Sequence, residues 1–286
     1  MKKSIIFTDL DGTLLEYSTY SYKAALPALQ LLQEKNIPLI ICSSKTQKEI
    51  EHYRKKLGNN HPFISENGGG IFVPKIYFKF EVQDSYNPPS PPFSKGGLGG
   101  FSEENNYHVI RLGAKYSDLR KAVEELRKEG FDVRGFGDMT IYKIAEITGI
   151  SIGEAEMAKE RDFDEPFIFE ENESETQKLF ETIRAKGFNL TQGRFFHIIG
   201  DSDKGKAVSI LIELYKKKLG EIVTIAIGDS PNDIPMLERV DYPVIVKKPD
   251  GTYDERINIP RLIKANGIGP DGWNKAIELC LKNFPR

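Results

Sequence analysis

Apolar residues follow two rhythms along this chain. Short unbroken runs, such as Ile5-Ile6-Phe7 and Leu39-Ile40-Ile41-Cys42, suit strands covered on both faces. Between such runs, Leu26, Leu29 and Leu32, then Ile50, Tyr53 and Leu57, recur at helical spacing. The pattern predicts a strand over 5–8, a helix over 21–35, a strand over 38–42, a helix over 46–57 and a short strand over 63–65. Pro27 requires the first helix to start late enough to place it in the opening turn. Residues 66–70 read as a turn and 71–73 open a hairpin. The same rhythm returns with a helix over 204–218, a strand over 222–227, a short helix over 234–239, a strand over 242–246 and a helix over 272–283. Strands alternating with helices imply an α/β fold with a parallel, doubly wound sheet.

The middle of the chain is patterned differently. It predicts a strand over 107–111, a helix over 117–129, a loop over 135–140 and a helix over 152–161. A strand over 166–169, a helix over 174–186 and a strand pair over 189–192 and 195–199 follow, the pair joined at Gly193-Arg194. An α+β pattern set inside an α/β one implies an inserted second domain. The expected division is core 1–82, inserted α+β domain 83–199 and core 200–286. Within the insertion, 87–101 is too rich in proline and glycine to pack as an element, and a flexible surface loop is expected there.

Composition narrows the function classes. A chain of 286 residues that is 39% hydrophobic and 29% charged is an ordinary globular protein. A formal net charge of −2 offers no basic face, so nucleic acid is not an expected partner. The apolar run after Met1-Lys2-Lys3 ends at Asp9, too short for a signal sequence, and no stretch reaches the length of a membrane span. A cytoplasmic monomer or homodimer is expected. Cys42 and Cys280 make no disulfide framework, and His52, His61, His108 and His197 have no metal-ligand spacing.

Candidate chemistry gathers at strand ends. Asp9 and Asp11 close the first strand, Ser43 and Ser44 the second, and Asp229 and Asp233 follow the strand over 222–227. Lys204 opens a helix, where a cation opposes the macrodipole and needs a further reason to be present. In open α/β sheets, ligands bind outside the carboxyl ends of the strands. Asp9, Asp11 and Asp229 offer oxygen ligands alone, which suits Mg²⁺ rather than zinc. Hydroxyls, backbone N–H groups and a lysine suit a phosphate, and a carboxylate at a metal site can attack phosphorus.

Asp9-x-Asp11-Gly12-Thr13, Ser43, Lys204 and Gly228-Asp229-x-x-x-Asp233 resemble the four signature motifs of haloacid-dehalogenase-type phosphatases. Their order and spacing are similar to the branch with a large α+β cap between the second and third motifs. The stretches Arg134-Gly135-Phe136-Gly137-Asp138-Met139, Arg161-Asp162-Phe163-Asp164-Glu165-Pro166-Phe167 and Asp203-Lys204-Gly205-Lys206-Ala207 look like the mannosyl-3-phosphoglycerate phosphatase family. The resemblance implies Asp9 as nucleophile and Asp11 as general acid and base. It implies Mg²⁺ held by Asp9, the carbonyl of Asp11 and Asp229, with Asp233 a ligand or an orienter of bound water. It assigns Lys204 to charge balance, Ser43, Ser44 and Asn67 to the phosphate, and Arg134, Arg161, Arg194 and His197 to a glycerate carboxylate and sugar hydroxyls. The implied reaction is hydrolysis of mannosyl-3-phosphoglycerate, a phosphorylated sugar-glycerate, to mannosylglycerate and phosphate. A glucosyl-3-phosphoglycerate phosphatase, another hexose-phosphate phosphatase or a phosphomutase is the alternative.

Overall fold

The computed structural model describes residues 2–82 and 106–283, so the Pro/Gly-rich stretch 87–101 lies outside the described residues. The chain opens with β1 (Lys3–Thr8), α1 (Leu26–Glu34), β2 (Leu39–Cys42), α2 (Gln47–Leu57), β3 (Phe63–Ser65), β4 (Gly70–Pro74) and β5 (Tyr107–Arg111). It continues with α3 (Tyr116–Lys128), β6 (Arg134–Gly135), α4 (Ile141–Thr148), α5 (Ile152–Lys159), β7 (Asp164–Ile168), α6 (Glu173–Ala185), β8 (Asn189–Gln192) and β9 (Phe196–Ile199). It ends with α7 (Lys204–Leu219), β10 (Ile222–Gly228), α8 (Ile234–Leu237), β11 (Tyr242–Lys247), β12 (Ile263–Ile268) and α9 (Gly269–Asn283).

Eight strands form the large sheet, in the order β12-β11-β10-β1-β2-β3-β4-β5. Pairing is parallel from β12 to β3 and antiparallel from β3 to β5. Side chains alternate across it. Ile6, Ile41, Ile225 and Val244 face a layer that includes Leu29, Leu32, Tyr53 and Trp273. Ile5, Phe7, Ile40 and Ile245 face Val208, Leu211 and Met236 on the other side. Both faces are therefore buried, which is why these strands read as unbroken apolar runs. Each fully buried aliphatic or phenyl side chain contributes roughly 1.5–3 kcal/mol.

The order explains where a site must form. From β1 the chain winds outward through β2 to β3, and after the insertion it returns to place β10 on the other flank of β1. The carboxyl ends of β1 and β10 thus flank the point where the winding direction reverses. Thr8 pairs with Ile227 there, so Asp9 and Asp229 emerge side by side.

The inserted unit is a four-stranded antiparallel sheet, β6-β7-β9-β8. Leu119, Val123 and Leu126 of α3 and Leu179 and Ile183 of α6 pack on Phe167 and Ile198 of that sheet. A separate cluster joins Ile144 of α4 and Ala155 and Ala158 of α5 to Phe136.

The structure departs from the sequence reading in three places. Tyr107–Arg111, assigned from sequence to the inserted domain beginning at 83, is instead the edge strand of the large sheet, paired with β4. The antiparallel meander β3-β4-β5 carries the chain across the sheet edge before it leaves for the cap. The helix α4 and the strand β12 were not anticipated. Pro27 does sit in the first turn of a late-starting α1.

A glycine turn in the core packs tightly against the start of α7. Gly68 has φ +92°, and a Cβ there would collide with the carbonyl oxygen of Asp203, just before α7. Gly68→Ala combines that collision with an unfavourable left-handed backbone. It should destabilise the protein by about 2 kcal/mol, lowering Tm by roughly 4–8 °C. Gly153→Ala, in α5 with nothing within 4 Å of the added methyl, should be neutral or slightly stabilising. Thermal unfolding of the two variants checks the contrast, and equal melting temperatures would contradict it.

Candidate active site

Two short stretches begin the site. Asp9 follows β1 directly, and its N–H donates to Ile227 O of β10 at 3.0 Å. Its carbonyl accepts the Thr8 hydroxyl at 2.7 Å, and that hydroxyl accepts the indole N–H of Trp273 at 3.0 Å. Gly12 then turns the chain with φ +79°, in a place where a Cβ would lie 2.8 Å from Asp229 Oδ2. Only glycine lets this turn pass so close to the acid at the end of β10.

Lys204 reaches the acids from the first position of α7. Its side chain is fully buried, with Nζ 2.7 Å from Asp9 Oδ1 and 2.6 Å from Asp233 Oδ1. Asp233 Oδ2 accepts the N–H groups of Asp229 and Ser230, at 3.0 and 3.1 Å. Asp229 accepts hydroxyls from Thr13 at 3.1 Å and Ser230 at 3.0 Å. Carboxylate oxygens of Asp9, Asp229 and Asp233 all lie within 4.8 Å of one another, and all three residues are buried. A buried, all-oxygen cluster of this kind fits a hard divalent cation.

The electrostatics agree. Burial pushes Asp9 well above the usual carboxylate range; Lys204 opposes the shift, and the neighbouring acids add to it. Burial and the facing Asp233 raise Asp229 to about 7. Lys204 is raised despite burial, because Asp233 and Asp9 outweigh its desolvation.

Asp11 is turned away from this cluster. Its Oδ2 pairs with Lys45 Nζ at 3.0 Å, and its Oδ1 is buried with no hydrogen-bond partner among the described residues. Ser43 is fully buried, and its Oγ accepts the Lys45 N–H at 3.3 Å. Thr46, rather than Ser43, caps α2. Ser44 lines the cleft beside Asp9 and Asp11. Asn67 sits in a left-handed conformation at φ +54°, its N–H donating to Ser43 O at 3.0 Å. Its side-chain amide donates to Asp164 Oδ2 at 2.7 Å and accepts from Asn232 at 3.1 Å.

The cap contributes unequally. Arg161, Arg194 and His197 line the same cleft as Asp9 and Asp11. Arg161 donates to Ser44 O at 2.9 Å, and Asp164 lies 3.5 Å away. His197 Nδ1 lies 2.8 Å from Asp164 Oδ1. Arg194 donates to Thr148 O and Ile147 O at 2.9 and 3.0 Å, and to the Tyr20 hydroxyl at 3.1 Å. Arg134 stands apart from them: it is exposed on β6, near Asp132 and Glu170, and is not among the described residues that line the cleft. Its neighbour Phe136 does, because the turn after β6 points the ring inward.

Haloacid dehalogenase-like hydrolases share a family pattern that matches residues 6–85 and 102–252. The chain belongs to this family. A relative from Methanococcoides burtonii, called a glucosyl-3-phosphoglycerate/mannosyl-3-phosphoglycerate phosphatase, is 50% identical over 284 residues, covering 98% of each chain. A mannosyl-3-phosphoglycerate phosphatase of Pyrococcus furiosus is 37% identical over 243 residues, covering 85% of this chain and 90% of its own. The crystal structure of a haloacid dehalogenase-like hydrolase from Bacteroides thetaiotaomicron shares the fold, with a TM-score of 0.63 at 17% identity, covering 98% of this chain and 100% of that one.

Within this family fold, several residues at or behind the cleft escaped the sequence reading. Lys45 and Glu49 line it as buried charges, and Asp164 lies behind it, fully buried and bonded to His197 and Asn67. Asp164 stands inside the stretch Arg161–Phe167, which was the available signal. Tyr17 and Tyr20 reach the cleft from the loop after β1, and nothing in their local pattern marks them.

An acid raised from an ordinary 3.8 to about 7, as Asp229 is, binds protons more tightly folded than unfolded. Its effect on stability is therefore lost as pH rises between those values. A divalent cation relieves that loss. Mg²⁺ should raise Tm over a chelated sample more at pH 8 than at pH 5. Equal shifts at the two pH values would count against the cluster as the binding place.

Proposed function

We propose that the protein is a phosphatase for hexosyl-3-phosphoglycerates, glucosyl and mannosyl alike, acting through an aspartyl-phosphate on Asp9. The observation that carries this is the joining of Asp9, Lys204, Asp229 and Asp233 at the reversal point of the sheet, beneath a cleft roofed by cap cations. The relative at 50% identity supports the substrate class by its name.

Asp9 Oδ attacks the phosphorus, and the bond to the glycerate oxygen breaks. Asp11 gives a proton to that departing oxygen. With its proton gone, Asp11 accepts one from water, and the hydroxide attacks the phosphorus of the aspartyl-phosphate. Phosphate leaves and Asp9 is restored. Asp9, the carbonyl of Asp11 and Asp229 would hold Mg²⁺, with Asp233 orienting the set through Lys204 and two backbone N–H groups. Bound there, the cation supplies positive charge that keeps Asp9 ionised and offsets the charge of the phosphate. Lys204 adds a second, fixed positive charge at the same atoms. Ser43 and the N–H of Ser44 serve the remaining phosphate oxygens. Arg161, anchored between the two units, meets the glycerate carboxylate, and the hexose lies toward Arg194 and His197.

Phosphate release from glucosyl-3-phosphoglycerate, mannosyl-3-phosphoglycerate, mannose-6-phosphate and 3-phosphoglycerate tests the reading, each with Mg²⁺ and with chelator. Metal-dependent release from the first two, well above the others, is expected. Asp9→Asn should lower kcat by at least roughly 10³-fold in a protein that still folds. Release mainly from mannose-6-phosphate would discard the substrate class and keep the chemistry. Undiminished activity in Asp9→Asn would discard the chemistry too.

A further inference from the structure

Lys45 has no part in the reaction as described so far, yet it is held with unusual care. It is 6% exposed, and its ammonium sits between two carboxylates, 3.0 Å from Asp11 Oδ2 and 3.3 Å from Glu49 Oε1. Glu49 is itself fixed. Its Oε2 accepts the Thr46 N–H at 2.9 Å, while the Thr46 hydroxyl accepts the Glu49 N–H at 3.2 Å, a capping box at the start of α2. The rings of Tyr20 and Tyr53 flank the ammonium, with centroids at 5.1 and 5.8 Å.

Asp11 is held far more loosely. It stands on a turn, its side chain is one-third exposed, and its Oδ1 has no hydrogen-bond partner among the described residues. A carboxylate that must hand a proton to one oxygen and take it from another needs a fixed direction. Among the described residues, no hydrogen bond on the Oδ1 side provides it. Lys45 does so on the Oδ2 side, from a chain of contacts rooted in the core: the α2 cap, Glu49, Lys45, then Asp11.

We propose that Lys45 is a positioning residue for Asp11, setting the orientation of the acid and base before the cap engages substrate. The proposal rests on the phosphatase reading for its kinetic consequences and on geometry alone for its structural one. Lys45 forms and breaks no bond to phosphorus, and its proton stays on the ammonium throughout. Its alternative, direct capture of a substrate oxygen, predicts a different pattern.

The test uses the full chain with Lys45→Met, Lys45→Arg and Asp11→Asn, assayed with Mg²⁺ on mannosyl-3-phosphoglycerate and on p-nitrophenyl phosphate. Lys45→Met should lower kcat on the order of 10²-fold with KM within about threefold of the parent. Lys45→Arg, which keeps the charge, should recover much of that loss. In the Asp11→Asn background, Lys45→Met should cost nothing further, since the group it positions is already gone. A raised KM at unchanged kcat, or losses that multiply in the double variant, would overturn the proposal. Crystal structures give the readout that needs no activity. Asp11 should be displaced or spread over several positions in Lys45→Met. An unmoved, singly placed Asp11 would overturn the positioning role even in a protein inactive on every phosphate ester tried, which separates its failure from failure of the phosphatase reading. Should Lys45→Met not fold, Lys45→Gln retains a donor for one carboxylate and carries the same comparison, with Asp11 expected to lose its single position.

Discussion

A single buried ammonium makes the rest of this site possible. Asp9, Asp229 and Asp233 are crowded into a space where each raises the cost of ionising the others. Lys204, fully buried and within 2.7 Å of two of them, offsets part of that repulsion before any ligand arrives. Its position is otherwise a poor one, because a cation at the first residue of α7 faces the positive end of the helix. The helix tolerates it for the sake of two charge-assisted hydrogen bonds in a dry environment, where such bonds are strong and an unpaired charge is costly. Asp233 uses its other oxygen to gather two backbone N–H groups, so the ammonium also fixes the turn after β10.

The ion pair depends in turn on topology. Asp9 and Lys204 are 195 residues apart in sequence, and they meet only because the sheet winds outward from β1 and then returns on its other flank. The cap is placed in that interval, and it is tied to the core at its start and again midway along it. Gly69 O receives the N–H groups of Leu112 and Gly113 on the way out. Glu66 accepts those of Asp162 and Phe163 between α5 and β7. Burial raises Glu66 to about 8 against the pull of Arg161, so this strut, too, joins charge to fold at the boundary of the two units.

Much of this was legible in the sequence, for a physical reason. Strands buried on both faces must be continuously apolar, so β1, β2 and β10 announced themselves, and the acids that follow them stood out against that background. Positions set by long-range pairing carried no such mark. Tyr107–Arg111 has the look of any short strand, and only its partner β4 decides that it belongs to the large sheet. Strand β12 contains Lys264, Asn266 and Gly267 and lies at a sheet edge, where one side needs no apolar cover. Arg134 and Arg161 read alike as cap cations. A two-residue strand leaves the first exposed, whereas the end of α5 drives the second between Ser44 and Asp164. Lys45 and Glu49 stand four residues apart across the start of α2, a spacing with no mark of its own in the sequence, and Asp11 is what gives the pair its place in the cleft.

The cleft's chemistry also bears on breadth of substrate under the proposed reading. Hexose epimers differ by the direction of one hydroxyl, and strong discrimination needs a buried polar group that is left unpaired by the wrong isomer. Here the polar groups toward the sugar are already occupied within the protein. The Tyr20 hydroxyl donates to Thr148 O, Arg194 donates to two carbonyls at the end of α4, and His197 is engaged with Asp164. The remaining surface includes the rings of Tyr17, Phe136 and Phe195, and a ring face meets either epimer with similar area. Under the same reading, binding energy is concentrated on the charged groups the two substrates would share, the phosphate at Lys204 and the glycerate carboxylate at Arg161, whose charge acts although it too donates to Ser44 O. Under the proposed reading, a site so divided would read charge strictly and sugar configuration loosely.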